Sequence, residues 1–251
     1  SPGDGGDGGG GGVDPLGVSS SRSVAGRLTT LSLSGCRALS PAALASLVNA
    51  ARDLRSLDLS HTAANDVVVE AVGGRLGSLR CCSLRGCAGI GDAALPLLFL
   101  GCARLEALDL GHSAVEIFPV SHSSQSLRKL ALCHCPNLRA EAITSLAENF
   151  GESLVQLSLA GAGCLDDSGL LALAVSCARL QRLQLSHCDG LTERGVFYLG
   201  MQCAGLLELR LCGCLGMRDD EVAQTAADAL RKLRLLQLPS GAVRSARCGE
   251  G

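Results

Sequence analysis

A curved, right-handed α/β solenoid is predicted for this chain, with a parallel β-sheet on its concave face and helices on its convex face. Three observations predict it. First, the string Leu-x-x-Leu-x-Leu opens at Leu28, Leu54, Leu79, Leu105, Leu127, Leu154, Leu180, Leu206 and Leu233, with Cys82 for the middle leucine of the third, at intervals of 22–27 residues. A period of this size is the mark of a repeat architecture, in which each unit buries its apolar face only by stacking on its neighbours. Second, the position eight residues after each leading leucine is always small: Cys36, Thr62, Cys87, Ser113, Cys135, Ala162, Cys188 and Cys214. Third, the chain is 47% hydrophobic but only 2% aromatic, with no Trp. Its core must therefore be built from Leu, Ala, Val and Cys in many thin layers.

The elements follow in order within each unit. The last two leucines of the string, such as Leu57 and Leu59 or Leu183 and Leu185, are two residues apart and face one side of a short strand. The small residue fits where the chain leaves the sheet and turns inward. A helix then returns over the outer face. Ser40 is a plausible N-cap with Pro41 at the first helical position, and Leu44 and Leu47 share one helical face. Thr192 repeats that cap, and Asp166, Asp167, Asp219, Asp220 and Glu221 place acids near helix starts, where the dipole favours them. The fourth unit departs from this pattern. Val115-Glu116-Ile117-Phe118-Pro119-Val120 is short, β-branched and proline-broken, which predicts an extended or irregular outer segment.

Three stretches follow from the repeat frame. Residues 1–27 comprise a Gly-rich segment too apolar-poor to order itself and a partial leading repeat. Residues 28–238 form the repeat domain, about eight full repeats plus a terminal strand, and residues 239–251 are expected to be a flexible tail. The chain begins at Ser1 rather than Met, as a fragment or a processed product would.

A second cysteine recurs three residues before a leading leucine, at Cys102, Cys177 and Cys203, so Cys177, Leu180, Leu183, Leu185 and Cys188 are echoed by Cys203, Leu206, Leu209, Leu211 and Cys214. On these residues, 28 to about 238 closely resembles the cysteine-containing class of leucine-rich repeats, best known from the F-box/LRR substrate receptors of SCF ubiquitin ligases. That resemblance implies a protein substrate held on the concave face and an SCF adaptor held by an F-box, acting in ubiquitin-dependent protein degradation in the cytoplasm or nucleus. No F-box is found in these 251 residues. The implied role would take one from a preceding segment or a separate partner. The alternative is an LRR interaction scaffold with no ubiquitin-ligase role, and recovering the full reading frame would separate the two.

Other chemistries are disfavoured by the same frame. A net charge of -2 with no dense Lys/Arg run argues against nucleic acid and against an anionic membrane, and no apolar stretch reaches bilayer length. Fourteen cysteines would suit a disulfide framework in a small secreted domain, but eight of them fall in the two recurring core slots, where a reduced thiol acts as a small hydrophobe. Zinc would look to Cys133-His134-Cys135, Cys212-Gly213-Cys214 or Cys81-Cys82, and in the first two the frame makes the sulfurs diverge. No Ser/His/Asp or Cys/His set is positioned for catalysis, Cys133 and Cys188 included, and no cofactor is expected.

His61, His112, His134 and His187 share the slot before the small residue, where other units carry Gly35, Gly86, Gly161 and Gly213. They form a column along one rim, read either as an exposed turn tolerant of Gly or a polar residue, or as a pH-sensitive contact. Binding is expected on the open face, at Ser56, Asp58, Arg85, Asp109, Lys129, Gln156, Ser158, Arg182, Gln184, Glu208, Arg210 and Gln237. Of these, Asp58, Arg85, Asp109, Lys129, Arg182, Gln184, Glu208 and Arg210 are the chosen partner-binding candidates.

Overall fold

Three residues per unit suffice for each strand, because the flanking leucines are held by the units on either side. The computed structural model describes residues 28–118 and 126–245, so the expectations for 1–27 lie outside the described residues. Strands β1 (Thr30–Ser32), β2 (Ser56–Asp58), β3 (Cys81–Ser83), β4 (Ala107–Asp109), β5 (Lys129–Ala131), β6 (Gln156–Ser158), β7 (Arg182–Gln184), β8 (Glu208–Arg210) and β9 (Leu235–Gln237) pair in chain order, every one parallel to the next. The register aligns Leu57, Cys82, Leu108, Leu130, Leu157, Leu183 and Leu209 in a single inward row, all buried. Burial of such a leucine contributes about 1.5–3 kcal/mol. Of the tail expected to be flexible at 239–251, the structure describes residues 239–245. Residues Val243–Ser245 form β10, antiparallel to β9, because the turn through Gly241, at φ 92°, folds the chain back on the open sheet edge.

Helices α1 (Pro41–Ala50), α2 (Asp66–Arg75), α3 (Leu95–Gly101), α4 (Ala140–Phe150), α5 (Asp167–Ser176), α6 (Glu193–Gln202) and α7 (Asp219–Ala229) cover the outer side. Ser40 and Thr192 cap as expected, accepting from the Ala43 and Arg194 N–H groups, and Asn65 and Asp166 cap α2 and α5 in the same way. Neighbouring helices approach closely where glycine allows it. A Cβ on Gly73 would stand 2.4 Å from the Leu97 carbonyl oxygen, so α2 and α3 could not pack at this distance with any other residue there.

Among the described residues no helix lies between β4 and β5, and Val115–Phe118 runs without regular structure. The expectation for Pro119 and Val120 falls outside the described residues. Phe118 is buried in this unit, its ring 6.3 Å from that of Phe150 in an edge-on arrangement and 6.5 Å from Phe99. Phe99 and Phe150 in turn lie 5.0 Å apart. Three of the four phenylalanines of the chain thus form one cluster beside this unit.

The two cysteine slots have distinct jobs. Cys102, Cys177 and Cys203 are the C-cap residues of α3, α5 and α6. Cys87, Cys135, Cys188 and Cys214 are buried, and their thiols donate to Leu59, Leu110, Leu159 and Leu185 carbonyl oxygens of the preceding unit at 3.1–3.3 Å. Cys36 is an exception to the expected core placement and is exposed. Its slot lies in the first described unit, where no described preceding unit covers it.

Candidate interaction face

The open side of the sheet carries two rows of side chains that alternate with the buried leucines. Together they line a groove of about 540 Å³ that runs from Ser56 on β2 to Glu208 and Arg210 on β8. Seven of the eight chosen residues line it: Asp58, Asp109, Lys129, Arg182, Gln184, Glu208 and Arg210. Arg85 does not, which corrects the placement expected for it. The register sets Ser83 opposite both Asp58 and Asp109, and Arg85 lies beyond the strand, in the turn that follows Leu84. From there its guanidinium makes a 3.0 Å hydrogen bond with His112 Nε2.

The groove is acidic toward its N-terminal end. Asp58 accepts hydrogen bonds from the Ser60 N–H at 2.9 Å, the Ser60 hydroxyl at 2.6 Å and the Ser32 hydroxyl at 3.2 Å. Partial burial pushes its carboxyl up, but these bonds outweigh it and hold the group below the usual carboxylate range. Asp109 accepts from the Gly111 N–H at 2.9 Å. Toward the C-terminal end the groove is cationic. Glu208 bridges Arg182, whose Nε is 3.0 Å away, and Arg210, at 4.0 Å, while Lys129 forms no ion pair among the described residues. Between the two ends the floor is small: Cys81, Ala107, Ala131 and Ser158. Such a floor lets a partner's backbone approach the sheet.

At the upper rim all eight residues of the histidine/glycine column have positive φ, from 53° at His134 to 77° at Gly35. The slot is therefore a left-handed turn, a conformation that glycine adopts freely and histidine more readily than most residues. This decides which residues occur there more sharply than solvent exposure does. Three of the four His rings also take up room in the next unit: a Cβ on Gly86, Gly161 or Gly213 would stand 2.3 Å from Nδ1 of His61, His134 or His187. The His112 and His134 rings stack at 5.1 Å, as neighbouring strands dictate. The alternation of His with Gly in the sequence was the available signal for this turn.

The metal and thiol candidates resolve by direction. Cys81 is exposed and Cys82 buried. Cys133 Sγ meets Ser158 Oγ of the following unit at 2.8 Å, whereas Cys135 Sγ turns to the preceding one. Among the described residues no three His, Cys, Asp or Glu side chains come together to hold a metal ion. Burial pushes the Cys188 thiol up to about 12, the reverse of an activated thiolate. Among the described residues no helix is long and apolar enough to cross a membrane.

The lower rim was missed by sequence reasoning. Here the residue after each leading leucine hydrogen-bonds its counterpart through the backbone, Arg80 N–H to Arg55 O, Glu106 to Arg80 and Arg128 to Glu106. The absence of a Lys/Arg run in the sequence thus conceals an edge of exposed arginines that stacking assembles.

No family model matches the chain. Among solved structures it is similar to Rad7 in the yeast Rad7–Elc1 complex, at 20% identity and TM-score 0.64, covering 78% of this chain and 52% of that one. It is also similar to the leucine-rich repeat-containing protein LegL7 of Legionella pneumophila, at 15% identity and TM-score 0.51, over 86% of this chain and 84% of that one. An internalin of Listeria monocytogenes shares 18% identity at TM-score 0.47, over 84% and 67% of the respective chains. The chain spans about half the length of the Rad7 chain it matches. The fold is that of a leucine-rich repeat solenoid.

Proposed function

We propose that this chain is a protein-recognition module, and that it serves as the substrate-recognition repeat domain of an F-box/LRR-like receptor in SCF-dependent, ubiquitin-mediated degradation. One observation carries the recognition reading: a rigid sheet presents a groove graded from Asp58 and Asp109 to Lys129, Arg182 and Arg210 over a floor of small side chains. A groove of this kind suits a polypeptide of complementary charge order better than a small apolar ligand, which needs an enclosed apolar cavity. The ubiquitin-linked part is supported by the recurring cysteine slots and by the likeness to Rad7, a protein whose structure is known in complex with Elc1. The SCF adaptor would bind an F-box outside the residues of this chain.

The test uses Arg182→Glu and Arg210→Glu together. Capture of the native partner from lysate should fall at least about tenfold, while the melting temperature stays within a degree or two, because exposed charges contribute little to folding. Undiminished capture would overturn the choice of face. Depletion of the chain in cells should lengthen the captured partner's lifetime. An unchanged lifetime would leave an interaction scaffold with no ubiquitin-ligase role.

A further inference from the structure

The arginines of the lower rim are not evenly engaged. Arg80 pairs with Glu106, which neutralises the edge at β3 and β4. Further along, Arg128, Lys129 and Arg179 are all exposed, and among the described residues none of the three forms an ion pair. They line a groove of about 410 Å³ whose floor is small or apolar, Val155, Ala178 and Gly205, with Gln181 as its remaining side chain. No carboxylate lines it. Lys129 also lines the open-face groove, so the two are continuous at β5. On the helix side the cationic surface ends at Glu148 and Glu152, which share the adjoining hollow with Arg128 and Arg179.

We infer that this lower-edge groove holds an acidic, Asp/Glu-rich segment of the protein bound on the open face, a reading that rests on the recognition function proposed above. Uncompensated cations attract a polyanion, and three features select an acidic polypeptide. Arg128 and Arg179 belong to units two repeats apart, with the Val155 unit between them, so an extended chain that crosses these units can meet them in turn. No aromatic side chain lines the groove for base stacking, and the Arg80–Glu106 pair interrupts the track that a nucleic-acid backbone would follow. The segment enters from the open face at Lys129 and is turned from the helices by Glu148 and Glu152.

Fluorescence anisotropy with the full chain tests this, using labelled ten-residue peptides that alternate Glu with Gly, their Gln counterparts, a peptide with one phosphoserine, and single-stranded DNA of equal charge. The Glu peptide should bind and the Gln peptide should not. The pair Arg128→Glu and Arg179→Glu should weaken the Glu peptide at least tenfold, whereas Arg194→Glu at the opposite rim should not. Equal binding by the double variant overturns the proposal, as does tighter binding of the phosphoserine peptide or the DNA than of the Glu peptide. Partner capture distinguishes this from the open-face reading. Capture lost with the Arg182 and Arg210 pair but intact with the Arg128 and Arg179 pair overturns the edge as an anchor and leaves the recognition face standing.

Discussion

The upper and lower rims of the sheet are built from the same repeat, yet their charges do opposite work. At the upper rim five acids are spent on the next unit: Asp66 accepts from the Gly91 N–H at 2.9 Å, Asp92 from those of Glu116 and Ile117, Asp167 from Thr192, Glu193 from Arg218, and Asp219 from Ser240. At the lower rim the side chains of Arg128, Lys129 and Arg179 form no ion pair among the described residues. The turns that follow the strands explain the asymmetry. Their backbone N–H groups, at Gly91, Glu116, Thr192, Arg218 and Ser240, need acceptors, and carboxylates of the preceding unit supply them. Charges with such a duty are part of the stack, and those without one are free to meet a partner.

Substitutions can break this contrast in graded steps. The interior common to both rims sets the largest effect. Cys188→Asp would bury an unpaired charge where the thiol now meets the Leu159 carbonyl, and denaturant titration should show a loss above about 4 kcal/mol. Next comes Asp167→Ala, which removes acceptors from both the N–H and the hydroxyl of Thr192 and should cost about 1–3 kcal/mol. Gly213→Ala, at φ 76° and against the His187 ring, should cost about 1–2 kcal/mol. Part of that cost should vanish in a His187→Gly background, and a double-mutant cycle would measure the coupling.

A smaller effect is expected from protons. Burial, with Arg85, His134 and His61 nearby, holds His112 below the usual imidazole range, only partly offset by Asp109. Because the folded state resists protonation there, its contribution is complete above the unfolded value near 6.5 and is lost as pH falls through that value to the folded one. Stability should therefore decline on acidification from pH 8 to 5, and His112→Gln should flatten that slope in thermal melts. The smallest effect belongs to the lower rim. Arg128→Glu with Arg179→Glu should change stability by less than about 0.5 kcal/mol, and a larger change in the melt would show that these cations support the fold.

The leucine period reads directly as strands because each leucine's burial depends on its neighbours in the string, two and three residues away. Helix caps were equally local: Ser40 and Thr192 act within three residues of themselves. The irregular run of Val115–Phe118 was legible from its β-branched residues, although the Phe99–Phe118–Phe150 cluster beside it was not. Arg85 was misplaced because the strand ends at Ser83, a boundary that pairing with Asp109 of the next unit fixes and that alternation alone does not.

By itself, then, the sequence determined the solenoid, the cysteine slots buried from Cys87 onward and which side chains alternate with the buried leucines, since all follow from a pattern written inside each repeat and copied along the chain. Only the tertiary structure decided the left-handed turn under the histidines, the return strand β10 and the arginine edge. Arg55, Arg80 and Arg128 are tens of residues apart along the chain and become neighbours only when parallel strands stack at about 4.8 Å.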